Sequence, residues 1–268
     1  MGRFRLACHL IQFGDEPRRD LEKVFREVAD AGWEGVEGSP IAGAEGLVTV
    51  ATMARRYGLH LVNAQSGQAG GQESARYNAT VGNDASEVLA LQRQDWGGAH
   101  PSAADFERAA RTLDDVLGFC REHHIKGFHH AHLRTTIETV EDAEALMAAA
   151  PDLWLLYDTG HLLCCKSDPM RVFQSPILKN RIGHVHLKDF HADDLAHWDH
   201  RTQRYGERAR FAELGQGNAG LDVAAVMRGL ADVGYDGWVS VELDEPYPAK
   251  PAAEAARSSR EYLRRLGY

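Results

Sequence analysis

Leu155-Leu156-Tyr157-Asp158-Thr159-Gly160-His161 and Ile182-Gly183-His184-Val185-His186-Leu187-Lys188-Asp189 are the stretches that decide how this chain is read. Each opens as a short apolar run, of strand length, and stops at side chains that bind divalent cations. A third run, Trp238-Val239-Ser240-Val241-Glu242, ends the same way. Spacers of helix length separate the three. Strands alternating with helices build a parallel sheet, so their C-terminal ends face one side. Three ligand-type residues at three such ends are the ground plan of a (β/α)8 barrel with its chemistry at the C-terminal mouth.

Outward from these runs the chain keeps the same alternation. Strands are expected at 4–11, 33–37, 59–64, 87–91, 125–132, 153–158, 182–188 and 238–243. Asp15 and Pro17 mark a helix start, Leu21, Val24, Phe25 and Val28 follow at helical spacing, and Gly32 stops the helix. Residues 48–57 read as a helix closed by Gly58, 66–71 as a flexible polar link and 72–83 as a short helix. Ser102 caps a helix to about 123, and Thr139 caps the next. Helices are also expected at 168–178, 221–233 and 252–266. Asp30-Ala31-Gly32-Trp33-Glu34-Gly35 is echoed by Asp232-Val233-Gly234-Tyr235-Asp236-Gly237, and the strands that follow end in Glu37 and Glu242. Eight strand–helix pairs in 268 residues predict one domain, 1–268, close to the roughly 250 residues of a barrel. A doubly wound open sheet is the competing arrangement. The one long insertion, 190–220, falls on the side where barrels build their sites.

The net charge of −9 argues against a protein built to grip phosphate backbones. It points to a small substrate, with no nucleic acid and no membrane as partner. Arg3 and Arg5 precede an apolar run too short for a span, and no signal-peptide pattern follows, so a cytoplasmic protein is expected. Cys8, Cys120, Cys164 and Cys165 show no CxxC spacing and read as reduced thiols.

Asp158, His186 and Glu242 are the candidate metal ligands. Singly each has a plain structural reading: a helix cap, a core histidine, a surface charge. Recurrence at equivalent strand ends favours the metal. The mixed O/N set suits Mn²⁺ or Co²⁺, with Zn²⁺ and Mg²⁺ as alternatives. His184 and Lys188 share a strand face with His186 by period two. Lys188 on an inward face needs a substrate oxygen or an acid, and a salt bridge with Asp189 is its structural reading. His130 and His132 are candidate ligands or bases, and Glu138 stands just before the Thr139 cap. Glu37, His184 and Arg201 are candidate substrate contacts. Gly215-Gln216-Gly217-Asn218-Ala219-Gly220 matches GxGxxG, but no strand feeds it, so a dinucleotide site is rejected.

These residues resemble the sugar isomerase and epimerase superfamily with a xylose-isomerase-like barrel. Asp158-Thr159-Gly160-His161 resembles its D-T-G-H signature, His184 to Asp189 its H-x-H-x-K-D, and Glu242 its strand-eight glutamate. The resemblance implies metal binding by Asp158, His186 and Glu242, and substrate contact or support by His161. Where such enzymes carry a strand-five glutamate this chain has His130. The segment from His130 through Glu138 and Thr139 is closer to the inosose dehydratase branch and to enzymes acting on 3-keto-glycosides. There Glu138 becomes a candidate fourth ligand, with His130 the alternative.

The resulting expectation is a metal-dependent dehydratase of a keto-sugar or keto-cyclitol working through an enediolate, with His132 or His130 as base and Lys188 or His161 at the departing oxygen. An isomerase or epimerase is the close alternative. An abasic-site endonuclease and a non-catalytic subunit are more distant ones. Pairing of copies is left open.

Overall fold

The first helical stretch departs from the single helix expected after Asp15. In the computed structural model, which describes residues 4–65, 71–88, 91, 100–246 and 249–268, β1 (Arg5–His9) leads to two helices, α1 (Glu16–Arg19) and α2 (Leu21–Ala31). Asp15 makes no side-chain cap bond, whereas Asp20 accepts from Lys23 N at 3.0 Å. The second aspartate therefore starts a new helix, because its carboxylate satisfies an amide that lacks a helical partner. On α2, Val24, Phe25 and Val28 are buried at the expected spacing, and Gly32 closes the helix at φ 88°.

The alternation then continues with β2 (Gly35–Glu37), α3 (Gly43–Arg56), β3 (His60–Leu61), α4 (Gly71–Val81), β4 (Ala85–Glu87) and α5 (Ala103–Glu122). It goes on through β5 (Lys126–His130), α6 (Val140–Ala149), β6 (Trp154–Asp158), α7 (Thr159–Cys164) and β7 (Ile182–Leu187). β8 (Asp189–Ala192), β9 (Ala209–Ala212), α8 (Val223–Asp232), β10 (Trp238–Val241) and α9 (Ala252–Arg265) complete it. Ser102 with Asp105, and Thr139 with Asp142, form reciprocal capping boxes at the starts of α5 and α6.

Eight strands form one parallel sheet in the order β3-β2-β1-β10-β7-β6-β5-β4, curled into a (β/α)8 barrel. Its two end strands, β3 and β4, share no ladder among the described residues. Asparagine side chains bridge them instead. Asn83 Nδ2 donates to Leu61 O at 3.0 Å, and Glu87 N donates to Asn63 Oδ1 at 3.4 Å. Asn78 binds both the N–H and the C=O of Ala64 and donates to Ser86 Oγ. β3 is two residues long and runs into Asn63 at φ 44°, so its backbone cannot extend a ladder. Amides, carrying both donor and acceptor, substitute for the missing main chain.

Three expectations are corrected. The fourth strand occupies Ala85–Glu87 rather than 87–91, which makes Glu87 a strand-end residue; of the expected span, 89 and 90 lie outside the described residues, as do 66–70 of the polar link. The helix expected at 168–178 is a 3₁₀ turn, Pro169–Phe173. The insertion is not an open loop: β8 and β9 pair antiparallel at its base, and Trp198 within it is buried with its indole N–H on Cys164 O at 2.8 Å. Among the described residues no helix is long and apolar enough to cross a membrane.

Candidate metal centre

His186, on β7, lies between two glutamates. Its Nε2 is 3.1 Å from Glu37 Oε1, at the end of β2. Its Nδ1 is 2.6 Å from Glu242 Oε2, just past β10, and 3.5 Å from Asp158 Oδ2, at the end of β6. Burial works to raise the Glu37 carboxyl, but His184 and His186 overcome it and hold it well below the usual carboxylate range. Ionised Glu37 can only accept, so His186 Nε2 carries a hydrogen, and Nδ1 is the nitrogen left facing Glu242 and Asp158. This is the carboxylate–histidine arrangement that orients an imidazole for a metal.

The contact on the other side of the ring has a different character. His186 Nδ1 and Glu242 Oε2 are both buried and only 2.6 Å apart. Two electron-rich atoms at this separation, with Asp158 Oδ2 beside them, need a positive charge between them. Burial opposes a proton on His186, but Glu37 and Glu242 push its pKa well above the ordinary value. A divalent cation meets the same demand with O/N donors of the right type. Among the described residues, His130–Asp158–His186 and His9–Glu37–His186 each bring one donor atom per residue within 4.8 Å of one another. The residues present therefore fit a metal.

Asp158 serves two ends. Its Oδ1 accepts from His161 N at 2.8 Å and caps α7, and its Oδ2 lies 3.2 Å from His130 Nε2. The cap and ligand readings thus fall on different oxygens of one carboxylate. The two signatures also interlock. Thr159 Oγ1 donates to Lys188 O at 2.7 Å and accepts from Lys188 N at 2.9 Å. A Cβ on Gly160 would lie 2.6 Å from Lys188 Cγ, so only glycine lets the lysine stem pass. Lys188 is fully buried. Its ammonium donates to Glu242 Oε1 at 2.7 Å and Asp244 Oδ1 at 3.3 Å, and lies 4.0 Å from the Phe211 ring centroid. Burial lowers its pKa, but Glu242, Asp158 and Asp244 more than compensate, so it stays charged. The salt bridge weighed with Asp189 does not form. Asp189 instead accepts from Phe190 N, Gly215 N and Gly217 N. The glycines of the G-x-G loop serve that turn, since a Cβ on Gly217 would meet Asp189 Oδ1 at 2.0 Å.

Three imidazoles line up beside this centre. His132 donates Nδ1–H to Leu133 O at 2.5 Å, which leaves Nε2 as its basic nitrogen. Burial, then the Lys188 charge, lower its pKa, so it is neutral at neutral pH. The His161 ring lies against it, centroids 3.7 Å apart and tilted by 37°. Leu133 N points at His161 Nδ1 and Lys188 Nζ lies near Nε2, each at 3.4 Å. A neutral imidazole has one acceptor nitrogen, so only one of these contacts is a hydrogen bond in a given tautomer. Burial pulls His130 down to about 3, against its bond to Asp158.

His130, His132, Glu37, His186 and Glu242 line a cavity of about 210 Å³ that also touches His9, Asn63, Gln65 and Glu87. Not every expected residue reaches it. His184 is buried, stacks on Phe128 and bonds Glu37 Oε2 at 2.9 Å, so it supports Glu37 rather than touching a ligand. Arg201 lies against the His100 imidazole, 2.8 Å from Nε2. Glu138 turns away to His200 and Cys165. Glu87, bonded to Gln65, was missed as a site residue. Burial pushes its carboxyl up to about 7. Tyr205, on Asp244 Oδ2 at 2.9 Å, was missed too. Placing Glu87 at the start of a strand hid its position; Tyr205 carried no local signal.

A family profile described as the xylose isomerase-like TIM barrel matches residues 25–266, and the chain belongs to that family. Inosose dehydratases of Clostridium tetani and Lacticaseibacillus casei are each 32% identical, over 163 and 170 residues. These alignments cover 59% and 61% of this chain but 54% and 55% of those proteins, so the chain spans about half the length of the curated relatives it matches. A xylose isomerase domain protein from Alicyclobacillus acidocaldarius superposes with TM-score 0.72 at 19% identity, over 98% of both chains. The apo form of a 3-keto-D-glucoside 4-epimerase from E. coli does so with TM-score 0.72 at 18% identity, over 98% of this chain and 100% of that one. At these identities the structural likeness carries the fold.

Proposed function

We propose that this chain, as one barrel domain over 1–268, is a divalent-metal-dependent lyase that removes water from a keto-sugar or keto-cyclitol. The observation that carries the reading is the convergence of one donor atom each from His130, Asp158 and His186 within 4.8 Å of one another, with Glu242 Oε2 2.6 Å from His186 Nδ1 and Glu37 on its Nε2. Asp158, His186 and Glu242 hold the metal. His130, 3.2 Å from Asp158, is the fourth ligand in preference to Glu138. When bound, the metal supplies Lewis acidity to a ketone oxygen and its neighbouring hydroxyl. Mn²⁺ or Co²⁺ suits the set best.

The remaining chemistry falls to the protein. His132 Nε2 takes the proton next to the ketone, leaving an enediolate of the substrate. Lys188 holds Glu242 in place and gives positive charge to the oxygen side, and His161 passes protons by exchanging tautomers. The hydroxyl beyond the enediolate leaves as water once protonated. The relatives named inosose dehydratases support this class. An isomerase or epimerase is the second reading, favoured by Glu87, a carboxyl near 7 that lines the same cavity as His132.

The test is incubation of the Mn²⁺- or Co²⁺-loaded protein with keto-cyclitols and 3-keto-glycosides in D₂O, followed by mass spectrometry. Loss of one water supports the lyase. Deuterium uptake without mass loss supports the second reading. No exchange from any of these ketones, in protein verified to hold metal, overturns both.

A further inference from the structure

Glu138, rejected by the first centre, has its own company. Among the described residues, Glu138, Cys165 and His200 form a third cluster in which one donor atom from each lies within 4.8 Å of the others. All three are buried. They come from three separate segments: the turn before α6, the C-cap of α7, and the insertion between β8 and β9. We propose that Glu138, Cys165 and His200 form a second, structural metal site suited to Zn²⁺, pinning the 193–208 loop to the barrel.

Geometry and donor chemistry both support it. Donors about 2.0–2.3 Å from a tetrahedral zinc lie roughly 3.3–3.8 Å apart. Glu138 Oε2 and His200 Nε2 are already 3.5 Å apart. Glu138 Oε1 is held by Arg134 N at 3.0 Å, which leaves Oε2 as the oxygen turned to His200. On the far side of the imidazole, the Asp199 carboxylate lies 4.0 Å from His200 Nδ1 and adds negative charge near the ring. A glutamate–histidine pair alone explains two of these groups. The Cys165 sulfur, packed in the apolar cluster under Trp198, lies within 4.8 Å of both, and a thiolate–imidazole–carboxylate set is a zinc-type donor set.

The site also has a use. The loop it would fasten carries Trp198, packed with Cys164, Cys165, Phe190 and Phe211. Tyr205, in the same loop, hydrogen-bonds Asp244, and Phe211 covers the Lys188 ammonium. Fastening His200 therefore steadies the wall of the first centre.

Cobalt absorption separates the two sites. His130, Asp158, His186 and Glu242 contain no sulfur, so a thiolate-to-cobalt charge-transfer band reports a cysteine ligand outside the first centre, and single serine variants assign it. Co²⁺ is titrated into the reduced, metal-free full-length protein. The wild type is expected to show the band. Cys165→Ser, its fold checked by far-ultraviolet circular dichroism, is expected to lose the band and one equivalent of bound metal. His200→Ala should weaken the band-forming affinity by about tenfold or more, and Cys164→Ser should retain the band. No band in folded wild type at saturating Co²⁺ overturns the proposal, and so does a band that survives Cys165→Ser. Neither outcome depends on the lyase reading.

Discussion

At His186 the N-terminal and C-terminal halves of the barrel reach opposite edges of one imidazole. Glu37, from β2, meets Nε2 at 3.1 Å; Glu242, past β10, meets Nδ1 at 2.6 Å, with Asp158 Oδ2 beside it at 3.5 Å. Equivalent residues of two echoed segments thus do different work. The C-terminal half offers strand-end carboxylates, an imidazole and a buried cation, locked together through Thr159, Gly160 and Lys188. The N-terminal half offers amides and carboxylates already engaged with protein: Asn63 on Glu37, Gln65 on Glu87, Asn78 across the barrel seam. The difference teaches that one half carries the proposed ligands while the other holds the edge of His186 that faces away from them.

The contrast is testable at four points. Asp158→Asn should have the largest effect. Asparagine caps a helix about as well as aspartate, so the fold should survive while bound metal and turnover fall by more than the roughly 10–100-fold expected of an outer partner. Metal retained at wild-type affinity would move the ligands elsewhere. Glu37→Gln, on the opposite half, should lower metal affinity by about 10–100-fold, read by competition with a chelating dye. An effect as large as that of Asp158→Asn would erase the division between the halves.

Gly160→Ala comes next, at about 1–3 kcal/mol of lost stability from the clash with Lys188. Combining it with Lys188→Ala should recover much of that loss in a double-mutant cycle; strict additivity in denaturant melts would break the interlock. The smallest effect is at Glu87. Its folded pKa, about 7, lies above the unfolded value. The folded state therefore binds the extra proton, and the contribution, present at pH 4, is lost as pH rises through about 7. We expect about 1–2 kcal/mol, discounted because the carboxyl reaches the cavity. Glu87→Gln should remove that slope from the pH series of denaturant midpoints, and an unchanged slope would assign it to other groups.

The legibility of the chain follows the same division. The strand ends of the C-terminal half announce themselves, because a ligand at the end of an apolar run is a local pattern. The capping boxes of α5 and α6 and the apolar face of α5 were equally local. The break at Asp20 was not, since Asp15 with Pro17 is as good a start signal until the carboxylate geometry is seen. Glu138 was misplaced for a related reason: a cap-adjacent carboxylate can turn either way, and the partner that turns it, His200, lies 62 positions on.

By itself, then, the sequence determined the alternation of strands and helices and the family, and it picked out Asp158, His186 and Glu242, which the fold brings together, because periodicity and strand-end chemistry depend on near neighbours. Only the tertiary structure decided which nitrogen of His186 faces Glu242 and Asp158, which way Glu138 turns, why Gly160 must lack a side chain, and how asparagines close the seam between β3 and β4. Those are contacts between segments far apart in sequence, and their distances exist only once the barrel has closed.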